Sequence, residues 1–151
     1  MEKEFSSEPS WTMFVDGSSN SEGCGAGFIL TSPQGFKIQF ALHFKFSASN
    51  NKAEYEALIA GLRMAKAIQV KRLAIRGDSQ LVVNQVNRDY KAQDDRIAAN
   101  LSMAKELVAS FKVFEMHRIP KNKNGKADAL SRLSMEALAQ LDGVSVYQKF
   151  I

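Results

Sequence analysis

Residues 11–18 read WTMFVDGS, and the rest of the chain is organised around this stretch. Its aromatic and β-branched residues predict a strand, with Asp16 near the end of it. A buried carboxylate is costly without a partner, so an inward-facing Asp16 would require a positive charge beside it. The pair Asp16 and Gly17 is equally typical of a turn that ends a strand. The other acidic residues decide between these two interpretations.

The composition is that of an ordinary globular protein. The 151 residues are 45% hydrophobic and 24% charged, which suits one domain with a substantial core. No apolar run approaches the roughly 20 residues that span a bilayer, and the polar residues 1–10 do not resemble a signal peptide. Cys24 is the single cysteine, so no intrachain disulfide can form. We therefore expect a monomeric intracellular protein, cytoplasmic or nuclear, that has no membrane contact.

Positive charge is concentrated near the C-terminal end of the chain. The formal net charge is +4, and basic side chains crowd one short stretch in which Glu115 is the only acid. They are Lys112, His117, Arg118, Lys121, Lys123 and Lys126. Such a stretch favours a polyanionic partner, but it is equally compatible with a solvated loop beside a helix.

The first third of the chain predicts three antiparallel strands. A strand at 11–16 is followed by a turn rich in Gly, Ser and Asn at 18–27 and by a second strand at 26–31. Residues 36–45 alternate between apolar and polar side chains, which is typical of a strand with one face in water. These elements form an antiparallel meander.

The rest of the chain predicts helices that alternate with strands. We expect strands at 71–76 and 112–119, and helices at 52–68, 80–86, 95–111 and from Gly125 onward. This order predicts an α/β fold with a mixed five-stranded sheet, an antiparallel meander and then parallel strands, and helices on both faces.

The domain boundaries follow from the same elements. We place one domain at 11–134, after a flexible lead-in at 1–10 and before a C-terminal extension at 135–151. Residues 144–151 are compatible with a terminal strand, a linker or a tail.

Four acidic residues recur at the ends of predicted elements. Asp16 closes a strand, Glu54 continues the apolar stripe of a helix to its first turn, Asp78 follows a strand, and Asp128 opens a helix. Each has an ordinary explanation as a turn, cap or helix-dipole residue. If they converge, their mutual repulsion implies a bound metal ion. Oxygen ligands favour Mg²⁺ or Mn²⁺ over zinc, and two such ions serve phosphodiester cleavage.

Four segments resemble, in order, the signature blocks of type 1 ribonuclease H. They are DGS at 16–18, NNKAE at 50–54, DSQ at 78–80 and NGKADAL at 124–130. Three longer segments also resemble the RNase H domains of plant LTR-retrotransposon polyproteins, namely 51–65, 78–86 and 119–121. The resemblance extends over roughly residues 11–134, which is most of the chain.

This resemblance implies an RNase H-like fold and a metal-dependent endonuclease that hydrolyses the RNA strand of RNA–DNA hybrids by a two-metal-ion mechanism. The implied catalytic residues and metal ligands for two Mg²⁺ ions, with Mn²⁺ as a substitute, are Asp16, Glu54, Asp78 and Asp128. The implied nucleic-acid-binding residues are Gly17, Ser18, Asn50, Asn51, Gln80, Arg118, Lys121, Lys123 and Lys126. The implied partners are the hybrid and a reverse transcriptase domain in the same polyprotein.

The sequence departs from the family pattern at two places. Many members carry a histidine in the loop before the last aspartate, but residues 121–126 contain none. His117 lies earlier, within a predicted strand, and we expect it to be structural; His43, on the polar face of the third strand, is expected to have no functional role. Some members carry a basic, tryptophan-bearing protrusion where this chain has only the short acidic connection 87–95.

Two other functions fit the same fold. One is a hybrid-binding module that has lost or weakened catalysis, which missing carboxylates would favour, but all four are present. The other is an integrase or exonuclease, and the order Asp, Glu, Asp, Asp with these spacings argues against an integrase.

Overall fold

The computed structural model describes residues 9–20, 23–44, 49–88, 95–137 and 145–150. Within these ranges the elements are, in chain order, β1 (Trp11–Asn20), β2 (Gly23–Thr31), β3 (Lys37–Phe44), α1 (Asn50–Ala67), β4 (Arg72–Gly77), α2 (Gln80–Arg88), α3 (Asp95–Val108), β5 (Val113–Arg118), α4 (Gly125–Ala137) and β6 (Ser145–Phe150). A 3₁₀ turn at Lys121–Lys123 precedes α4. No helix in the described part of the chain is long and apolar enough to cross a membrane.

The strands form one mixed sheet in the order β5-β4-β1-β2-β3-β6. Strands β1, β2 and β3 are antiparallel neighbours, whereas β4 runs parallel to β1 and β5 parallel to β4. The predicted five-stranded arrangement is therefore confirmed. β6 pairs antiparallel with β3 and adds a sixth strand at the edge, so the strand is the alternative that the structure supports for the C-terminal segment.

β1 is longer than predicted, and Asp16 lies within it rather than at its end. Pairing of β1 with β2 continues from Thr12 to Asn20, so the predicted turn at 18–27 is wrong over most of its length. Gly27 of β2 allows close packing, because a Cβ there would lie 2.6 Å from the backbone nitrogen of Ser131 in α4. Parallel pairing of β1 with β4 does stop at Val15, so Asp16 is the first residue beyond it.

Helix α1 packs one apolar face into the main hydrophobic core. The side chain of Ser49 caps it by accepting a hydrogen bond from the Lys52 amide at 3.2 Å. The predicted apolar stripe is confirmed, since Leu58, Leu62 and Ala65 are buried. These side chains share one hydrophobic cluster with residues of β1, β2, β4, α2 and α3. The first turn of α1 is thereby fixed beside β1.

Helix α4 covers the other face of β2 and β3, which corrects the prediction of a half-exposed third strand. Ala41 packs with Ile29 and Leu130 of α4, and His43 is 1% exposed. Among the described residues, Nδ1 of His43 has no hydrogen-bond partner. Among the described residues of the predicted polar face, only Lys37 at the start of β3 is exposed. The alternating pattern predicted the strand correctly but could not show that a distant helix packs on its polar face.

Candidate active site

Two neighbouring parallel strands and one helix bring three carboxylates together. Val15 of β1 pairs with Gly77 of β4, and the residues that follow them are Asp16 and Asp78. Glu54 adds a third carboxylate from the second turn of α1. Ligand oxygens of Asp16, Glu54 and Asp78 all lie within 4.8 Å of one another. The predicted convergence is therefore observed for these three side chains.

Asp128 stands at the rim of this group. The three clustered carboxylates line a cavity of about 500 Å³. Asp128 lies in the first turn of α4 and lines this cavity too, but it is outside the cluster of three. An oxygen of its carboxylate lies 3.2 Å from Nε of Arg132, one turn further along the helix. The structure thus brings the fourth predicted carboxylate to the site but pairs it with a cation.

The cavity also contains about half of the predicted nucleic-acid-binding residues. Those that line it are Gly17, Ser18, Asn50, Asn51 and Lys121. The remaining ones do not: Gln80 and Arg118 are exposed at the ends of α2 and β5, and Lys123 and Lys126 line a second cavity on the face that carries Phe14. The lysines of residues 121–126 therefore line two different cavities, Lys121 the carboxylate cavity and the other two the second one.

Burial and like charge favour protons at the carboxylates. Asp16 is 4% exposed, and this burial, reinforced by the charges of Glu54 and Asp78, raises its pKa well above the usual range. Burial also raises the pKa of Glu54, although hydrogen bonds from Gly17 and Asp16 and the charge of Lys121 oppose the rise. Three hard oxygen ligands that repel each other fit a divalent cation such as Mg²⁺ or Mn²⁺.

Each clustered carboxylate receives a hydrogen bond from a different element. The amide of Gly17 donates to Oε1 of Glu54, and Nδ2 of Asn124 donates to Oδ2 of Asp78 at 3.0 Å. Oγ of Ser131 makes a longer contact of 3.4 Å with Oδ2 of Asp16. A backbone amide of β1, a side chain of the loop before α4 and a side chain of α4 thus contact the three acids.

Several residues at this site are absent from the predicted set. They are Ser19, Ser79, Asn124, Ser131 and Arg132. Two of them carry a sequence signal that could have found them. Ser131 follows Asp128 by three residues and so shares its helix face, and Asn124 occupies the capping position before α4.

His117 is in β5, as predicted, but on the surface. Its side chain is 58% exposed, and Nε2 lies 2.7 Å from Oε1 of Glu115. Surface ion pairs add at most about 1 kcal/mol to stability. The expected structural role is therefore wrong if it means a place in the core. His117 also does not line the carboxylate cavity.

The raised pKa values predict that the metal-free protein loses stability as the pH rises. The pKa of Glu54 is raised from 4.5 to about 7, so the folded state binds protons that the unfolded state has released. Stability is then highest below about pH 4 for this group and falls as the pH passes through 7. We expect the melting temperature in EDTA to fall over this range and the fall to be smaller in Glu54→Gln. A melting temperature that follows the same curve in both proteins would contradict the assignment.

Comparison with known proteins identifies the family. The model of the reverse transcriptase-like family matches residues 14–134. Ribonuclease HI of Halobacterium salinarum is 31% identical over 125 residues, which cover 82% of this chain and 63% of that protein. The bifunctional protein Rv2228c of Mycobacterium tuberculosis is 34% identical over 93 residues, which cover 62% of this chain and 26% of that protein. The chain therefore spans less than two thirds of these curated relatives.

Solved structures agree with the sequence relatives. RNase H1 from Halobacterium salinarum superposes on this chain with a TM-score of 0.79 at 29% sequence identity. The match covers 85% of this chain and 98% of that protein's chain. The N-terminal RNase H domain of Rv2228c gives 0.76 at 27% identity, with coverage of 88% and 98%.

The fold and the carboxylate site thus define an RNase H-like protein. The chain belongs to the reverse transcriptase-like family, and its relatives include ribonuclease HI of Halobacterium salinarum. The nearer resemblance to plant LTR-retrotransposon polyproteins stays a prediction.

Proposed function

We propose that this protein is a metal-dependent endonuclease that hydrolyses the RNA strand of RNA–DNA hybrids. The observation that carries the proposal is the cluster of Asp16, Glu54 and Asp78, with ligand oxygens within 4.8 Å, in a homologue of ribonuclease HI. One protein of the same fold, LC11-RNase H1, has been solved in complex with an RNA/DNA hybrid.

The proposed metal ligands are the four carboxylates, which would hold two Mg²⁺ ions or, as a substitute, Mn²⁺. When bound, such ions would lower the pKa of the attacking water and stabilise the negative charge on the leaving oxygen. The chain's own residues hold the ligands for this task. Gly17 orients Glu54 through its amide, and Arg132 keeps Asp128 at the rim of the cavity.

The hybrid is proposed to lie across the mouth of the cavity. Gly17 and Ser18 line it beside the carboxylates and are placed to contact the RNA strand. Asn50, Asn51 and Gln80 would read 2′-hydroxyls in the minor groove, which distinguishes RNA from DNA. Asn50 is already held in place, because its Oδ1 accepts a hydrogen bond from Ser19 at 2.8 Å. Phosphate contacts are assigned to four cations: Arg118, Lys121, Lys123 and Lys126.

The experiment that tests this function compares three duplexes. The protein is incubated with hybrid, double-stranded RNA and double-stranded DNA, each with Mg²⁺ or with EDTA, and binding is measured alongside cleavage. We expect cleavage of the hybrid alone and only with Mg²⁺. Binding of hybrid without cleavage under any metal would instead support the alternative function, a catalytically inactive hybrid-binding module.

Binding of the substrate is expected to be weak and sensitive to salt. Only four cations are assigned to phosphate contacts, and nucleic-acid affinity without sequence preference comes mainly from cations that displace counterions from phosphate. Each phosphate contact removed should make the slope of log affinity against log salt shallower by about one unit. We therefore expect a change of about two units for the double variant Lys121→Ala/Lys123→Ala, with slower cleavage at subsaturating hybrid.

The single variants separate the two cavities. Lys121→Ala removes a cation from the carboxylate cavity, whereas Lys123→Ala removes one from the second cavity. Lys71→Ala is a matched control, because Lys71 is exposed and lies near the start of β4, at the opposite end from Asp78. An unchanged slope in the double variant would move the phosphate contacts to another surface.

A reverse transcriptase domain in the same polyprotein, that of an LTR retrotransposon, is the proposed protein partner. The description of the matching family as reverse transcriptase-like supports this, and the foamy viral protease-reverse transcriptase contains the same fold. A tethered polymerase domain would raise the effective concentration of hybrid and compensate for weak binding.

A further inference from the structure

One buried asparagine connects the elements that carry three of the carboxylates. Asn124, in the loop before α4, is 1% exposed. Its Nδ2 donates hydrogen bonds to the backbone oxygen of Val15 at 2.8 Å and to Oδ2 of Asp78 at 3.0 Å. Its own backbone oxygen accepts a hydrogen bond from the amide of Asp128 at 3.0 Å.

These three bonds have one geometric consequence. Val15 immediately precedes Asp16 in β1, Asp78 follows β4, and Asp128 opens α4. The amide of Asn124 therefore links the backbone that carries one clustered acid to the carboxylate of another. Since these acids repel each other, Asp78 would otherwise be free to rotate away from Asp16.

In the side-chain amide of Asn124, the nitrogen forms hydrogen bonds and the oxygen does not. Its Oδ1 is buried and has no hydrogen-bond partner among the described residues. A buried acceptor without a partner costs free energy, and an apolar side chain of similar volume would avoid that cost. The two N–H donors, in contrast, both meet acceptors. The position therefore depends on donation and not on packing alone.

We propose that Asn124 is a positioning residue for the metal site: it holds the carboxylate of Asp78 at a fixed distance from β1 before any ion binds. This inference rests on the proposed function, because it assigns Asp78 as a metal ligand. Residues that orient metal ligands typically contribute about 10–100-fold to metal affinity or activity.

The test uses the full chain with Asn124→Leu, which keeps a similar volume and removes both donors, and Asn124→Ala, which removes the whole amide; neither variant adds charge. Mn²⁺ affinity is measured by calorimetry in the absence of nucleic acid, at a temperature where circular dichroism shows the parent fold. We expect both variants to bind Mn²⁺ about 10–100-fold more weakly. For hybrid cleavage at fixed Mg²⁺, kcat should fall while KM for hybrid stays near the parent value.

The matched control is Asn122→Ala, since Asn122 is an exposed asparagine of the same loop and should bind Mn²⁺ like the parent. A double-mutant cycle with Asp78→Asn shows whether the effect passes through Asp78. In that background, replacing Asn124 should change Mn²⁺ affinity little.

Parent-like Mn²⁺ affinity in a folded Asn124 variant would overturn the inference, and so would an undiminished effect in the Asp78→Asn background. If only one variant retains the fold, its Mn²⁺ affinity decides the test. Loss of the fold by both would overturn a role confined to positioning. If the parent binds Mn²⁺ but cleaves no hybrid, the proposed function fails while the role of Asn124 is still decided by the affinities.

Discussion

Asp16→Asn is expected to abolish hybrid cleavage while the fold is retained. Asp16 is the most buried of the clustered carboxylates, and a neutral amide cannot replace it as a ligand. Metal ions supply several kcal/mol of transition-state stabilisation in such sites. Their loss corresponds to a decrease in kcat of about 100-fold or more. The measurement is the single-turnover cleavage rate of a labelled hybrid.

The same substitution should maintain or raise stability without metal. Asn removes the repulsion between Asp16 and its neighbours Glu54 and Asp78, which together with burial raises the pKa of Asp16. We expect the melting temperature in EDTA to be equal to or above that of the parent at pH 8. Glu115→Gln is the control, because Glu115 is an exposed carboxylate of β5 outside the cavity. Cleavage by Asp16→Asn near the parent rate would contradict the site.

Gly17→Ala is expected to damage both stability and activity. A Cβ at Gly17 would lie 2.6 Å from the carbonyl carbon of Ala53 and 2.8 Å from the amide nitrogen of Glu54. Helix α1 must therefore move away from β1, which disturbs the hydrogen bond that orients Glu54. Overpacking of this kind costs about 1–3 kcal/mol, and sometimes more. Thermal melting and the cleavage rate measure the two effects.

The control for this substitution is Gly125→Ala. A Cβ at Gly125 meets no atom within 4 Å, so this variant should melt at or slightly above the parent temperature. Alanine is otherwise favoured over glycine inside a strand, so a loss of stability in Gly17→Ala reports the close approach of α1. Equal melting temperatures for Gly17→Ala and the parent would show that α1 can move without cost.

Much of the fold could be predicted because its signals are local. Periodicity located the strands and helices, and the apolar stripe of α1 led correctly back to Glu54. Parallel pairing places the residues after Val15 and Gly77 side by side, so Asp16 and Asp78 could be expected at one edge of the sheet. The expected identity of the site came from the resemblance of four ordered segments to the signature blocks of type 1 ribonuclease H.

The errors concern contacts between residues that are distant in sequence. Nothing near residues 36–45 shows that α4 packs on β3 and buries His43. Gly27 looked like part of a turn, because the approach of α4 that requires a glycine there is set by tertiary packing. Asn124 was in no predicted site set, because its bonds to Val15 and Asp78 exist only once β1 and β4 are paired.

The most direct measurement of the proposed function uses a hybrid labelled separately on its RNA and DNA strands. The full chain is incubated with each labelled hybrid in Mg²⁺ and in EDTA, and the products are resolved by size. We expect internal cuts in the RNA strand only, and only with Mg²⁺. Cleavage of the DNA strand, or an RNA strand left intact with both Mg²⁺ and Mn²⁺, would contradict it.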